Sequence, residues 1–147
     1  MEPQPAKASC SVVLIDRDAD HALRTRNALA RCPMPIDVQY VKEGSEAFDV
    51  VREQAAMQGC DLVLLSLYGH DEASYDLLAA LKSDPTLMTI PVVITASDLS
   101  PAAVHTCYRM RVNGIIPNDE EVETFLTSLA NLATFWLSSS QTVLAAA

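Results

Sequence analysis

The sequence has 147 residues, the length of a single globular domain, and half of them are hydrophobic while 20% are charged. This composition excludes a disordered chain, and the apolar runs are far shorter than the about 20 residues that a membrane-spanning helix needs. The net charge of −9 argues against binding to nucleic acid or an anionic membrane, so a protein partner is expected. The first residues carry no signal-peptide pattern, so a cytoplasmic location is expected.

Short apolar runs rich in branched residues alternate with longer stretches that have helical spacing. The runs predict buried strands at residues 11–15, 36–41, 61–67, 90–95 and 114–116. The longer stretches predict helices at residues 18–30, 45–58, 72–81, 100–110 and 119–137. Ser100 precedes Pro101 at one helix start, as expected for a capped helix. Five such units indicate an α/β protein with a flavodoxin-like, doubly wound fold and a parallel sheet in the strand order 2-1-3-4-5.

The last predicted helix carries an apolar stripe that is long enough to cover a sheet. Trp136 belongs to this stripe, whereas Phe135 and Leu137 fall beside it and are expected to stay exposed on the monomer. Clustered exposed apolar side chains are typical of interfaces, and two-fold dimers are the commonest oligomers. Phe135, Trp136 and Leu137 are therefore predicted to form a homodimer interface. Residues 138–147 are expected to fray unless a partner orders them.

The cysteines and histidines show no spacing typical of a metal site. The four cysteines include no CxxC pair, and each is expected to be a free thiol. His21 and His105 fall in predicted helices and are interpreted as packing or solvent-facing residues. No metal and no cofactor is expected.

Four segments carry a resemblance to a known family. They are VVLIDRDAD at residues 12–20, CDLVLLSLYGHDEASYDLL at 60–78, IPVVITASD at 90–98 and YRMRVNGIIPND at 108–119. In this order they resemble the receiver domains of response regulators, over residues 11–137. The ending LANLATFWLSS is similar to single-domain regulators that pair with bacterial phytochromes, in which a C-terminal extension mediates dimerisation. The resemblance implies an N-terminal segment (1–10), a receiver-like domain (11–137) and a C-terminal tail (138–147).

In the receiver family, a phosphoryl group passes from a kinase histidine to an aspartate at the end of the third strand. Two acidic residues after the first strand hold Mg²⁺, which neutralises the phosphoryl oxygens. Carried onto this sequence, the phosphoacceptor position falls on Ser66 and the acidic pair on Asp16 and Arg17. A serine hydroxyl does not accept the phosphoryl group as a carboxylate does, and the cation of Arg17 repels Mg²⁺.

The other family positions are changed as well. The lysine that pairs with the phosphate falls on Asn118, and the aromatic switch position falls on Ile115. The hydroxyl position is Thr95 or Ala96, depending on where the fourth strand ends. The resemblance therefore predicts a degenerate receiver domain, without enzymatic activity, that acts as a phosphorylation-independent interaction module. Its expected partner is a histidine kinase, a phytochrome-like photoreceptor or a downstream regulator.

Several alternatives remain open at this point. Arg17 either pairs with Asp16, Asp18 or Asp71 in place of the metal, or it points to solvent. The domain is alternatively a switch controlled by modification of Ser66 or by a ligand in the vacated pocket. A small hydrolase would use Ser66 with His70 and with Asp71 or Asp16, although the GxSxG context of such enzymes is missing. An engineered change at Ser66 would leave Arg17 and Asn118 unexplained.

Overall fold

The computed structural model describes residues 9–42, 44–68, 72–117 and 122–146. Within these residues, parallel strands and helices alternate along the chain as β1 (Cys10–Ile15), α1 (Ala19–Leu29), β2 (Ile36–Val41), α2 (Gly44–Met57), β3 (Leu62–Leu67), α3 (Glu72–Ser83), β4 (Val92–Ala96), α4 (Pro101–Arg109), β5 (Gly114–Pro117) and α5 (Val122–Ala146). The described strands form one sheet in the order β2-β1-β3-β4-β5, and all of its pairs are parallel. The predicted fold class and strand order are thereby confirmed.

Two apolar clusters cover the two faces of the sheet. One contains the side chains that pack under α2, α3 and α4, and the other lies between the sheet, α1 and α5. Strands β1, β3 and β4 are buried along their whole length, so they show none of the alternation typical of half-exposed strands. Burial on both faces explains why these strands were recognisable as continuous apolar runs.

Strand β2 differs from the other strands, because it lies at an edge of the sheet. Asp37 and Gln39 are exposed, while Ile36, Val38 and Tyr40 are half-buried against the α1 side. The prediction of a buried strand at 36–41 was therefore correct in its bounds but wrong in its burial. An edge strand has one neighbour fewer, so alternate side chains face solvent.

Two helix starts are held by capping side chains that the sequence marks. The Asp18 carboxylate accepts hydrogen bonds from the backbone N–H groups of Asp20 and His21, which makes it the N-cap of α1. Ser100 accepts from the backbone N–H of Ala103 at 3.1 Å, and Pro101 occupies the first turn of α4. Side-chain oxygens in these places satisfy donors that the first turn leaves without a partner.

Helix α5 presents a different apolar face from the predicted one. Leu137 is 0% exposed and belongs to the cluster beneath the helix, so its expected exposure was wrong. The buried stripe has the i, i+3, i+4, i+7, i+11 spacing of one helix face, at Leu126, Leu129, Ala130, Ala133 and Leu137. Leu137 follows Leu126 by about three helical turns and returns to the same face. Trp136 is half-buried, whereas Phe135 is 60% exposed, as predicted.

The same helix is also longer than predicted. Its predicted end was Leu137, but α5 continues to Ala146, so most of the segment predicted as a tail is helical. The sequence there has no glycine or proline that would end a helix. Among the described residues, none of the helices combines the length and the hydropathy that a membrane crossing requires.

Candidate functional site

The carboxyl ends of β1, β3 and β4 bring three predicted site residues into contact. The register pairs Ser66 with Thr95, and Ile15, directly before Asp16, with Leu65. The Ser66 hydroxyl donates a hydrogen bond to Asp16 Oδ2 at 3.0 Å and lies 2.8 Å from the Thr95 hydroxyl. Ser66 is 4% exposed, and Asp16 and Thr95 are buried as well. Of the two candidates for the hydroxyl position, Thr95 is the one whose side chain contacts Ser66.

The Asp16 carboxylate is the centre of this site. From described residues, Oδ1 accepts hydrogen bonds from the Tyr68 hydroxyl at 2.5 Å and from the backbone N–H of Asp18 at 2.9 Å. Oδ2 accepts from Ser66 and lies 2.5 Å from Nδ1 of His21. An ionised carboxylate offers about four lone-pair positions, so these four contacts use the acceptor capacity of Asp16.

The same contacts set the charge state of the site. Burial raises the pKa of Asp16. The hydrogen bonds from His21, Tyr68 and the Asp18 backbone lower it by a larger amount, so the net pKa lies below the usual 3.8. Burial and the neighbouring Asp16 carboxylate raise the pKa of the Tyr68 hydroxyl well above its usual range. Asp16 is therefore an anion that accepts, and Tyr68 is a neutral hydroxyl that donates.

Arg17 lies at the mouth of the site and is exposed. Its guanidinium donates to the backbone carbonyl of Tyr68 at 3.4 Å, and its Cζ lies 5.3 Å from the centre of the Tyr68 ring. The four contacts of Asp16 come from other groups, so Arg17 does not replace a metal at this carboxylate. The predicted alternative in which Arg17 pairs with Asp71 involves a residue outside the described part of the chain.

Three further predicted positions complete the comparison with the sequence. Ile115 is half-buried on β5 and offers an apolar side chain where the family has its switch. Asn118 and His70 lie outside the described residues. In the triad of the hydrolase hypothesis a histidine takes the proton of the serine hydroxyl. Among the described residues, the Ser66 hydroxyl contacts Asp16 and Thr95, so the part of that hypothesis that involves His70 concerns a residue outside the described chain.

The residues present do not fit the divalent-cation site that the resemblance implies. Mg²⁺ prefers several oxygen ligands in an octahedral arrangement. Here the first acidic position, Asp16, already accepts four hydrogen bonds, and the second is the cation of Arg17. Within the described residues, no group of three His, Cys, Asp or Glu side chains is placed to hold a metal ion.

A cavity of about 270 Å³ opens beside the site, between the end of β1 and the starts of α2 and α3. Its wall includes the site residues Asp16 and Ser66, and basic or hydroxyl side chains at Arg17, Lys42, Ser45 and Ser74. The space is large enough for a small polar molecule. The buried hydroxyl of Ser66 is therefore adjacent to an opening that a ligand could enter.

Two residues of this site are not predicted from the sequence. The helical position of His21 predicts only a packing or solvent-facing residue, and no motif marks Tyr68. His21 lies in the first turn of α1 after the Asp18 cap, and Tyr68 follows Ser66 by two residues. The available signal was position, because a residue in the first turn after the first strand, and one just beyond the third strand, face the same sheet edge.

Comparisons with known proteins agree with this architecture. No family model and no curated protein matches the sequence. The phosphorylated cyanobacterial phytochrome response regulator RcpA is 29% identical, with a TM-score of 0.77 over 90% of this chain and 96% of that chain. The bacteriophytochrome response regulator RtBRR is 26% identical, with a TM-score of 0.68 over 86% of this chain and 80% of that chain. The Mn²⁺-bound response regulator Rcp1 is 19% identical, with a TM-score of 0.74 over 87% and 94%. In fold, strand order and extent, the chain resembles the receiver domains of these response regulators.

Proposed function

We propose that this receiver domain is a cytoplasmic interaction module of two-component signalling that works without phosphoryl transfer. One observation carries the proposal: the phosphoacceptor position is Ser66, whose buried hydroxyl is bonded to Asp16 and contacts Thr95. A hydroxyl in this place does not form the acyl phosphate that a carboxylate forms. The retained fold then serves binding, and the domain acts without enzymatic activity.

The other changed positions support the same conclusion. Arg17 places a cation where the family has a metal-binding acid, and Asn118 stands where the family has lysine. Ile115 lacks the polar tip with which an aromatic switch reports phosphorylation. Each of these changes removes a different step of one mechanism, so their combination favours loss of the whole mechanism over tuning of it.

Three classes of partner fit this proposal. RcpA is a phytochrome response regulator and RtBRR a bacteriophytochrome response regulator, and these neighbours favour a phytochrome-like photoreceptor or its histidine kinase. A downstream regulator is the third class. The net charge of −9 supports a protein surface as the target, because it opposes binding to nucleic acid or to anionic lipids.

We also propose a homodimer through the face of α5 that carries Phe135. Phe135 is 60% exposed and stands edge-to-face against Trp136, with ring centres 5.3 Å apart. From Thr124 onward the sequence contains no charged residue, although the whole chain carries −9. Interface centres are depleted of charge, and two copies of an acidic protein approach best through an uncharged face.

Sedimentation velocity tests the dimer with one variant of α5 and one of α2. Phe135→Glu places a charge on the proposed interface and is expected to give a monomer at concentrations where the native chain is a dimer. Met57→Glu adds the same charge at an 80% exposed position of α2, on the opposite side of the sheet from α5, and serves as the comparison. Native protein that sediments as a monomer at high concentration would contradict the proposal.

Intact mass after incubation with acetyl phosphate and Mg²⁺ tests the loss of phosphoryl transfer. The native chain is expected to gain no phosphate. Ser66→Asp restores the acceptor, and Ser66→Asn provides a matched variant of the same size without a nucleophile. Phosphate on the native chain would overturn the proposal. Phosphate on Ser66→Asp alone would show that only the acceptor was lost.

A switch controlled by a ligand or by modification of Ser66 is the second candidate. The cavity of about 270 Å³ beside Ser66 favours it, because this space is lined by Arg17 and Lys42. A melting temperature that rises with inorganic phosphate, and does not rise in Lys42→Glu, would support a ligand. Modification of Ser66 requires the site to open, since this side chain is almost fully buried. Modification would be supported if mass spectrometry of protein purified from its native host showed an added mass on Ser66.

A further inference from the structure

We propose that His21 and Tyr68 are internal replacements for the divalent cation of the receiver fold and that they exclude a metal from Asp16. The inference extends the proposed function to its regulation: a site saturated by its own side chains needs no ion to hold its shape. It rests on the hydrogen-bond donors around the Asp16 carboxylate. A metal ion at this carboxylate would have to displace them, and all of them are groups of this chain.

The two oxygens of Asp16 are occupied in the same way. Each accepts one bond from a residue close in the sequence and one from β3 or the residue after it: Oδ1 from Asp18 and Tyr68, and Oδ2 from His21 and Ser66. A metal ion that bound either oxygen would have to displace at least one of these donors. Displacement of His21 or Ser66 would leave a buried polar group without this partner, which is costly inside a protein.

His21 is held in place from both sides of its backbone. Its N–H donates to the Asp18 carboxylate at 3.2 Å, and its carbonyl accepts from the Thr25 hydroxyl at 3.0 Å. The imidazole is buried and stands edge-on to the Tyr68 ring, with ring centres 6.3 Å apart. The ring therefore reaches Asp16 from a fixed first turn of α1, rather than from a mobile loop.

Tyr68 is held by a separate set of contacts. Its hydroxyl reaches Asp16, its carbonyl accepts from Arg17, and the Arg17 guanidinium stacks on its ring. Arg17, in the second acidic position, disfavours a metal by its charge and contacts the Tyr68 carbonyl and ring. The bond from the Tyr68 hydroxyl to Asp16 involves no atom of Arg17.

The test uses a background in which both lost acids are restored, Arg17→Asp with Ser66→Asp. Mn²⁺ binding is then measured by electron paramagnetic resonance of the free ion, with circular dichroism to confirm the fold. Adding Tyr68→Phe removes one hydroxyl from Asp16 and is expected to tighten Mn²⁺ binding at least tenfold. Adding His21→Ala is expected to tighten it further.

Tyr40→Phe is the matched control in the same background. The Tyr40 hydroxyl donates to the backbone carbonyl of Asp16 at 2.9 Å, so its removal costs a similar bond but leaves the carboxylate contacts intact. It is expected to leave the Mn²⁺ affinity unchanged. Equal affinities with and without Tyr68→Phe, or no binding in any variant, would overturn the inference. Because every protein in this test carries restored acids, its failure does not bear on whether the native chain accepts phosphate.

Discussion

Nδ1 of His21 lies 2.5 Å from Oδ2 of Asp16, and neither side chain is accessible to more than a small fraction of its surface. The contact joins the first turn of α1 to the end of β1. Tyr68 brings the end of β3 to the same carboxylate. At the sheet edge where receiver domains carry out phosphoryl chemistry, side-chain hydrogen bonds to Asp16 therefore connect the ends of β1 and β3 with the start of α1.

The stability of the protein is expected to depend on the charge of Asp16. Asp16→Asn keeps the shape but removes the anion, and should lower the free energy of unfolding at neutral pH by roughly 2–4 kcal/mol. The pKa of Asp16 is lower in the folded chain than its usual 3.8, so its contribution is complete above that pH and is lost as the pH falls towards the folded pKa. Urea unfolding from pH 7 to pH 2.5 measures both effects. A difference between native and variant that stays constant down to the lowest pH would contradict this prediction.

Truncation of Leu137 is expected to lower the stability of the monomer much more than truncation of Phe135, although the two residues are only two positions apart. Leu137→Ala removes a side chain with 0% exposure and should lower the free energy of unfolding by about 2–5 kcal/mol. Phe135→Ala removes a side chain that is 60% exposed, so the monomer should lose only about 0.5–1.5 kcal/mol, the contribution of its edge-to-face contact with Trp136. Urea unfolding at high dilution compares them, and equal losses would show that the face of α5 is assigned incorrectly.

Asn113 is expected to stabilise the start of β4. Its side-chain oxygen accepts from the backbone N–H of Val92 at 2.8 Å and from Lys82 Nζ at 3.3 Å. Asn113→Ala leaves both donors without this acceptor and should lower the free energy of unfolding by about 2–4 kcal/mol. Asn113→Asp retains an acceptor and should cost less. The prediction fails if thermal unfolding ranks the two variants in the opposite order.

The buried amine of Lys82 is expected to make stability depend on alkaline pH. Burial, and then the nearby charge of Arg111, lower the pKa of Lys82 below its usual 10.5. Between the folded pKa and 10.5 the unfolded chain binds a proton that the folded chain has released, so this group makes stability rise with pH in that window. Lys82→Met should remove this rise of stability with pH. Urea unfolding of both proteins at several alkaline pH values tests this, and parallel curves would contradict it.

The sheet could be predicted from the sequence because its inner strands are apolar without interruption. Residues 62–67 and 92–96 are buried on both sides. Their shortness and their position between helical stretches favour strands over buried helix segments. Strand β2 shows the limit of that argument, since its burial depends on which neighbours it has in the sheet. Whether a strand is central or at an edge is decided by topology.

The sequence predicts that α5 is a helix, but it does not predict which face of that helix is buried. An apolar-rich helix allows several stripes of similar quality, and packing against α1, β5 and β3 selects the one that includes Leu137. Phe135 stays exposed because it lies about 160° around the helix from Leu137. The choice between these residues depends on the sheet, which is formed by parts of the chain far away in sequence.

At the site, the resemblance to receiver domains identifies three missing groups from residue types alone: a carboxylate at Ser66, a second acid at Arg17 and a lysine at Asn118. This comparison needs only the order of the residues next to the apolar runs. The groups that contact Asp16 instead could be identified only from the folded chain. The contacts of Asp16 come from residues two, five, 50 and 52 positions away along the chain. Hydrogen bonds of this kind depend on distance and direction in space, and the fold sets both.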